Sequence, residues 1–585
     1  MGKFLLGLLL VALAVYAGRV IWLRLSEKYP LVRFERSQYV QQLVTLRSYE
    51  ARGPQGSFLP AGHVQLAIRE SMLQNVLARS LPIRRTFEDG RYEARLDRAR
   101  LDLEDGLASI TLEGRGIMLG PDASPLEAQL RVQMHIDVVE YRPDLGTLRA
   151  SLAVTAFQVM RAGPRPIRRF MNPAIRYFAG LRAEDWNRER PTLDIPVRLE
   201  QEMMLPTITG DVTVDSARVA LAVRVVAVTV FQDRFVLSMA LEHHGEEEDA
   251  SSVAVEDWVA PPVESREHME QAALRLFKEG RGISARDGIR ARVTDLAARD
   301  SLWQGLMESD RDVVVVVPYP ILHRLCQRLA RNYLRTARVD FDPEIHEDLD
   351  ETIRVRVLGV RVGAGRIKGT VQVTRLRGRL RVRGDPVLRL LPPDQLEFTV
   401  PVQVVEGEGR VRTEVAWDPG FLTAVVCRGF ELEENLVGEV VPFAHSLRTR
   451  IRFETDESIM RGVPVVRRDR VHVPWELTPA SREKVRATLK EQDKLLRCGV
   501  VMDPDSVLVK IERLLRGKVN VRLPGTLFGA FRLPVAVRQE VDAGDFRIIS
   551  SARDPEVAVR PGYLRFGFRA DISVRPVPGG AKAPS

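Results

Sequence analysis

The sequence predicts an α+β protein dominated by antiparallel β structure: two strongly curved sheets, each wrapped around a long amphipathic helix, behind an N-terminal transmembrane helix. Three observations predict it. Val313 to Val317 is a β-branched run that ends at Pro318 and Pro320, and an amphipathic helix comes directly after it. The same order occurs earlier, where the strand beginning at Val64 runs into a helix spanning Ser71 to Leu81. Long segments of alternating apolar and polar residues succeed both helices. The chain therefore reads as two copies of one β-rich module.

The 585 residues bound this reading. That length accommodates about four average domains or two large β domains. With 45% hydrophobic and 28% charged residues, the composition is that of a globular chain. The 87 Lys and Arg exceed the 78 Asp and Glu by a formal charge of +9, and aromatic residues make up 6%. The arginines fall at alternate strand positions, as on a solvated face, and form no concentrated stripe with interleaved aromatics. The pattern argues against nucleic-acid binding. Three cysteines, Cys326, Cys427 and Cys498, form neither a paired framework nor a Cys-x-x-Cys motif.

Phe4 to Leu23 is an apolar stretch with Arg19 as its one charge, long enough to cross a bilayer once as a helix. Two readings of it compete. A cleaved signal peptide would use Lys3, the run to Val15 and a small-residue site at Val15-Tyr16-Ala17. An uncleaved anchor would use the apolar run continuing through Val20, Ile21, Trp22 and Leu23, and that continuation favours the anchor. Arg24, Lys28, Arg33 and Arg36 pull the body towards the cytoplasm by the positive-inside rule, whereas a two-residue leader ahead of an apolar segment serves to export the rest of the chain. The expectation is an inner-membrane anchor with the body facing the periplasm.

The organisation expected is then an anchor at 1–25, a connecting segment at 26–61, a first module at 62–242, an acidic loop and helical linker at 243–311, a second module at 312–578 and a tail at 579–585. The connecting segment reads helical from Ser37 to Ser48. In the first module Arg91 to Leu103 alternates, with a break between Leu96 and Leu101, and turns at Glu104 to Gly106 into Leu107 to Met118. Leu126 to Val139 and Leu148 to Met160 form a second hairpin. Pro164 to Leu181 reads as a basic helical insertion that either packs on the module or meets anionic head groups. Valine-rich strands between Asp211 and Leu241 complete the module.

The linker opens with HHGEEEDASS from His243. Adjacent histidines cannot share one face of a strand or helix, so the cluster reads as a solvated acidic loop and not a metal site. Glu264 to Glu308 reads helical. In the second module strands are expected at Thr352 to Val362, Arg366 to Thr374 and Gly378 to Arg383, with GVRVGAG (359–365) as a hairpin turn between two of them. Strands at Leu396 to Val405 and Gly409 to Trp417 come next, then a helix capped by Thr478 with Pro479 in its first position. VNVRL at 519–523 mirrors IPVRL at 195–199. No phosphate-binding loop, nucleophile elbow or His-Glu-x-x-His motif is present, so no catalytic, cofactor-binding or metal-ligating residue is assigned and an enzyme is not expected.

This order of apolar strand, amphipathic helix and antiparallel hairpins, closing on VRPGYLRFGFRADISV (Val559 to Val574), resembles the TULIP, or tubular lipid-binding, superfamily in two tandem copies. The resemblance implies a curved sheet rolled around a helix that leaves an apolar tube for acyl chains, in a protein of the bacterial envelope type. It carries over no binding residue. Independently of it, long half-apolar strands must cover their apolar face, and one or two helices per module leave room for an apolar ligand. On this reading Leu73, Val76 and Leu77, with Leu322, Leu325 and Leu329, line a site for phospholipid or fatty acyl chains in a membrane-anchored lipid-binding or lipid-transfer protein. The alternative is a non-catalytic envelope scaffold or membrane-bridging protein whose modules fill their own cores.

Overall fold

The structure is a computed structural model. It describes residues 31–576 apart from several breaks, of which the longest are 163–186, 244–265 and 419–430. The anchor segment, the insertion at Pro164 to Leu181, most of the acidic loop, Cys427 and Cys498 lie outside the described residues. Among the described residues no helix is long and apolar enough to cross a membrane.

The fold is mostly antiparallel β, with two curled lateral sheets and seven described helices. The helices are α1 (Leu31–Glu50), α2 (Glu70–Arg79), α3 (Arg266–Lys278), α4 (Gly282–Arg299), α5 (Ser301–Met307), α6 (Tyr319–Tyr333) and α7 (Pro479–Leu496). A central sheet of eight strands draws on both halves of the chain, in the order 539–543, 546–560, 563–576, 313–318, 64–69, 234–243, 217–231, 201–205. The order is symmetric about the seam between strands 64–69 and 313–318, which pair antiparallel from Gln65↔Val316 to Ile68↔Val313.

The symmetry extends to hydrogen bonding. At the start of α2 the Glu70 N–H donates to the Asp233 carbonyl at 2.9 Å; at the start of α6 the Tyr319 N–H donates to the Gly562 carbonyl at 2.7 Å. Each acceptor sits in the tight turn of a long hairpin, at φ +61° for Asp233 and +91° for Gly562. A first-turn N–H has no partner inside its own helix, so the neighbouring hairpin supplies one.

One face of the central sheet is covered by helices. Ala67, Val314, Val316, Phe231 and Val236 pack against α1, α4 and α5 through Leu43, Leu46, Val293, Trp303 and Leu306. Phe58 stands at the centre of an aromatic group, with ring centroids 5.8 Å from Tyr49, 5.3 Å from Phe231 and 5.2 Å from Trp303. Asp300 ties this side together. One carboxylate oxygen caps α5 by accepting from Leu302 N at 2.8 Å, and the other accepts from Phe58 N at 2.8 Å and Leu59 N at 2.9 Å. The residues read as a connecting segment and a linker thus form one bundle that roofs the sheet. Their apolar stripes require a partner, and the sheet offers its own unburied face.

The first lateral sheet has six strands, 83–87, 92–104, 107–118, 126–142, 147–162 and 192–196, in sequence order. The expected break in the second is a bulge between Leu96 and Arg98. The turn before 107–118 uses Gly106 at φ +72°, where a Cβ would lie 3.1 Å from the Leu46 side chain.

The second lateral sheet, of twelve strands, is built on two long ones, 360–382 and 395–418. Two expectations are corrected here. Val357 pairs with Val360, so the stretch from Val360 to Gly365 lies inside a strand, where Gly363 faces Val355 and Gly365 faces Ile353. Farther along, Gly369 permits a close crossing: a Cβ there would meet the Glu414 carbonyl oxygen at 2.0 Å. The mirrored motifs also part company. Residues 192–196 pair with 147–151 in the first lateral sheet, whereas 520–523 pair with 469–472 in a separate two-stranded ribbon. Thr478 does cap α7, its hydroxyl accepting from Ser481 N at 3.3 Å, and Val485 and Leu489 are buried.

Candidate functional site

The other face of the central sheet turns towards the amphipathic helices. Val64, Val225, Leu237 and Met239 are buried there together with Leu148 of the first lateral sheet and Ile321 of α6. This cluster crosses the seam, because Val315 and Val317 of the second half pack against it.

Cross-strand pairing gives the first lateral sheet one apolar face. Leu101, Ile110, Met134 and Val154 form one row across four strands, and Leu103, Ala108, Ile136 and Leu152 form the next. Leu101 and Leu103 are buried against Val230 of the central sheet, and Leu73 and Leu77 of α2 pack on the same group. Farther across the sheet Met134 and Val154 are buried, and Ile110, Leu112, Val132 and Leu152, packed against them, are half-buried.

Helix α2 is ten residues long. It runs beside the edge of strand 92–104. Strand 83–87 pairs only with residues 92–96, which leaves the backbone groups beyond them without a strand partner. The helix supplies one. Gln74 donates to the Ala99 carbonyl at 2.9 Å and accepts from Leu101 N at 2.7 Å, and Glu70 accepts from Leu103 N at 2.9 Å. Helix α6 approaches strand 387–391 similarly, with the Tyr319 hydroxyl donating to the Leu388 carbonyl at 2.7 Å.

The residues nominated from the sequence fall in different settings. Leu73 and Leu77 face the apolar side of the first lateral sheet, and Val76 is half-buried beside them. Helix α2 has no fully buried residue. Leu322 and Leu325 are half-buried on α6, and the side chain of Leu329 lies outside the described residues. Ile321, the α6 residue that reaches the shared cluster, is not among the nominated set, although the apolar stripe of the helix includes it. Gln74 and Glu70 are missed as well, since edge-capping polar residues carry no periodic signal.

Cys326 shares α6, and burial pushes its thiol up to about 12. Among the described residues no group of three or more His, Cys, Asp or Glu is placed to hold a metal ion.

The opposite face of the first lateral sheet carries charged and polar side chains and lines a cleft of about 1070 Å³ whose walls mix polar and apolar surface. Two rows of side chains cross it, Arg98–Glu113–Arg131–Gln158 and Arg100–Thr111–Gln133–Ala156. Gln74 and Ala78 of α2, with Leu81 and Pro82 beyond its end, close one side. Asp97, at the bulge, is held by Arg95 at 2.6 Å and Arg115 at 2.8 Å, and hydrogen bonding from Arg115 lowers its carboxyl below the usual range. Arg131 pairs with Glu113 at 2.6 Å.

No protein-family model matches the sequence, and no curated protein matches it. Among solved structures the chain is similar to P47 of Clostridium botulinum E1, with 7% identity, 87% of this chain and 99% of that one covered, and a TM-score of 0.21. It is also similar to a lipopolysaccharide binding protein, with 10% identity, the same coverage of 87% and 99%, and a TM-score of 0.24.

Proposed function

We propose that this protein is a non-catalytic, membrane-anchored lipid-binding protein of the tubular lipid-binding type, one half on each side of the seam, holding acyl chains between its central and lateral sheets. One observation carries the reading. Leu73, Val76 and Leu77 on α2, and Ile110, Leu112, Val132 and Leu152 on the sheet, are apolar, are set towards the space between two sheets, and remain only half-buried. An apolar surface left accessible in such a setting gains by covering itself with an apolar ligand. At about 0.8 kcal/mol per methylene removed from water, eight methylenes would contribute about 6 kcal/mol before ordering costs. Residues 4–23 would hold the protein in the inner membrane with its body in the periplasm, and whether lipid is merely held or also transferred depends on how readily it leaves.

The experiment is to purify the full chain, extract it with organic solvent and analyse the extract by mass spectrometry. Phospholipid or fatty acid should be present, and Leu77→Trp or Leu325→Trp should deplete it while the protein stays folded, because a large apolar group fills a groove but strains a packed core. A second reading, an envelope scaffold with filled cores, is favoured by the seam cluster, where Val64, Met239 and Ile321 are buried outright. A wild-type chain that carries no lipid and takes none from labelled vesicles would select the scaffold.

A further inference from the structure

The polar cleft on the first lateral sheet has no part in holding acyl chains, yet it adjoins the apolar groove. Leu81 and Pro82 border the cleft just past the end of α2, four and five residues beyond Leu77, which faces the groove. Helix α2 therefore separates the apolar groove from a cleft that carries charged side chains, around the edge of one strand.

The cleft carries charges of both signs, and Asp102 lies two residues from Arg100 on the same strand. Glu113 is satisfied by Arg131, and Asp97 by Arg95 and Arg115. Arg98 and Arg100 are exposed, and among the described residues neither forms an ion pair. They are two residues apart on one strand beyond the bulge, so their side chains leave the same face about 6–7 Å apart. Two guanidinium groups at that spacing can converge on one phosphate, each offering a planar pair of N–H donors. Thr111 on the neighbouring strand and Gln133 on the strand beyond it share that face, and their hydroxyl and amide suit the hydroxyls of a polyol ester.

We propose that this cleft binds the phosphate of an anionic, hydroxyl-bearing head group through Arg98 and Arg100, and so selects which lipid the groove retains. The inference rests on the lipid-binding reading for the source of the ligand. Its chemistry would equally serve a free polyol phosphate.

The test uses the full-length protein purified in detergent. Co-purified lipid is extracted, and the ratio of anionic to zwitterionic phospholipid is compared with that of the host membrane. Binding of glycerol 3-phosphate is measured separately by calorimetry. Wild type should be enriched in anionic lipid, and the double variant Arg98→Gln, Arg100→Gln should lower that enrichment at least tenfold while the protein stays folded. Arg98→Lys, Arg100→Lys should restore it in part, since charge remains but the planar fork is lost. Bound lipid with the same head-group ratio in wild type and double variant would overturn the proposal. If wild type carries no lipid but binds glycerol 3-phosphate in an arginine-dependent way, the anion site stands and the acyl reading fails. If neither binds, both fall.

Discussion

Individual side chains decide where the halves of this protein are fastened. Asp300 serves the α5 N-terminus with one oxygen and the Phe58–Leu59 backbone with the other, at a site 7% exposed. Asp300→Ala should cost about 3 kcal/mol, a cap plus buried donors left unmet, and Asp300→Asn about half of that. Denaturant unfolding of the two variants beside wild type measures both. Cys326 offers a pH test. Its folded pKa of about 12 lies above the value of about 8.5 for a free thiol. The folded state thus holds the proton more tightly. The stability this contributes is complete below about pH 8.5 and is lost as pH rises through about 12. At pH 8 about one molecule in ten thousand carries the thiolate. In a chain with Cys427 and Cys498 replaced by serine, Cys326 should therefore react with a disulfide reagent far more slowly than it does in denaturant. Equal rates would show that the thiol is not shielded.

At the scale of elements, the same local pattern takes on different duties. Strand 313–318 alternates in burial, Val314 and Val316 at 0% against the helical roof and Val313, Val315 and Val317 half-buried on the other side. Val316→Ala should cost about 2 kcal/mol through the cavity it leaves. Val387→Ala, at a position 43% exposed, should change stability by less than about 0.5 kcal/mol. Chemical denaturation of both tests whether the seam is packed as closely as its burial indicates. The amphipathic helices are legible in the sequence as helices within one or two residues of their ends, and so is the cap of α7 at Thr478. Their placement is not. An apolar stripe states that a helix will cover something, while the unpaired edge of strand 92–104 and the carboxamide of Gln74 decide what.

For the molecule as a whole, the shared sheet sets the order of opening. Strands 64–69 and 313–318 lie under the helical roof and bury Ala67, Val314 and Val316 completely, whereas Val132 and Leu152 on strands 126–142 and 147–162 are half-buried. Hydrogen exchange read by mass spectrometry should find the seam strands among the last to exchange and strands 126–142 and 147–162 earlier. Seam peptides exchanging as fast as those strands would mean that the halves separate before they unfold. Fractionation addresses the anchor. The full chain should pellet with membranes, and one beginning at Glu27 should not. A full-length product lacking its first ~17 residues would identify a cleaved signal instead.

By itself the sequence determined what neighbouring residues can determine: the apolar N-terminal stretch, the strand-then-helix order in each half, the hairpins of the first half, and the bulge announced by the break after Leu96, whereas the strands expected separately at 366–374 and 378–383, and at 396–405 and 409–417, each run on as one. The legible features arise from side-chain period and turn chemistry, which act over a few residues. The tertiary structure alone decided that Gln65 meets Val316 some 250 residues away, that the supposed linker roofs a sheet common to both halves, and that the stretch from Val360 to Gly365 runs on inside a strand. It alone placed Arg98 and Arg100 on the face of a cleft, opposite the leucines of the same strand. Such pairings depend on which complementary edges and faces come together, and a chain with many valine-rich strands writes the same local pattern for each of them.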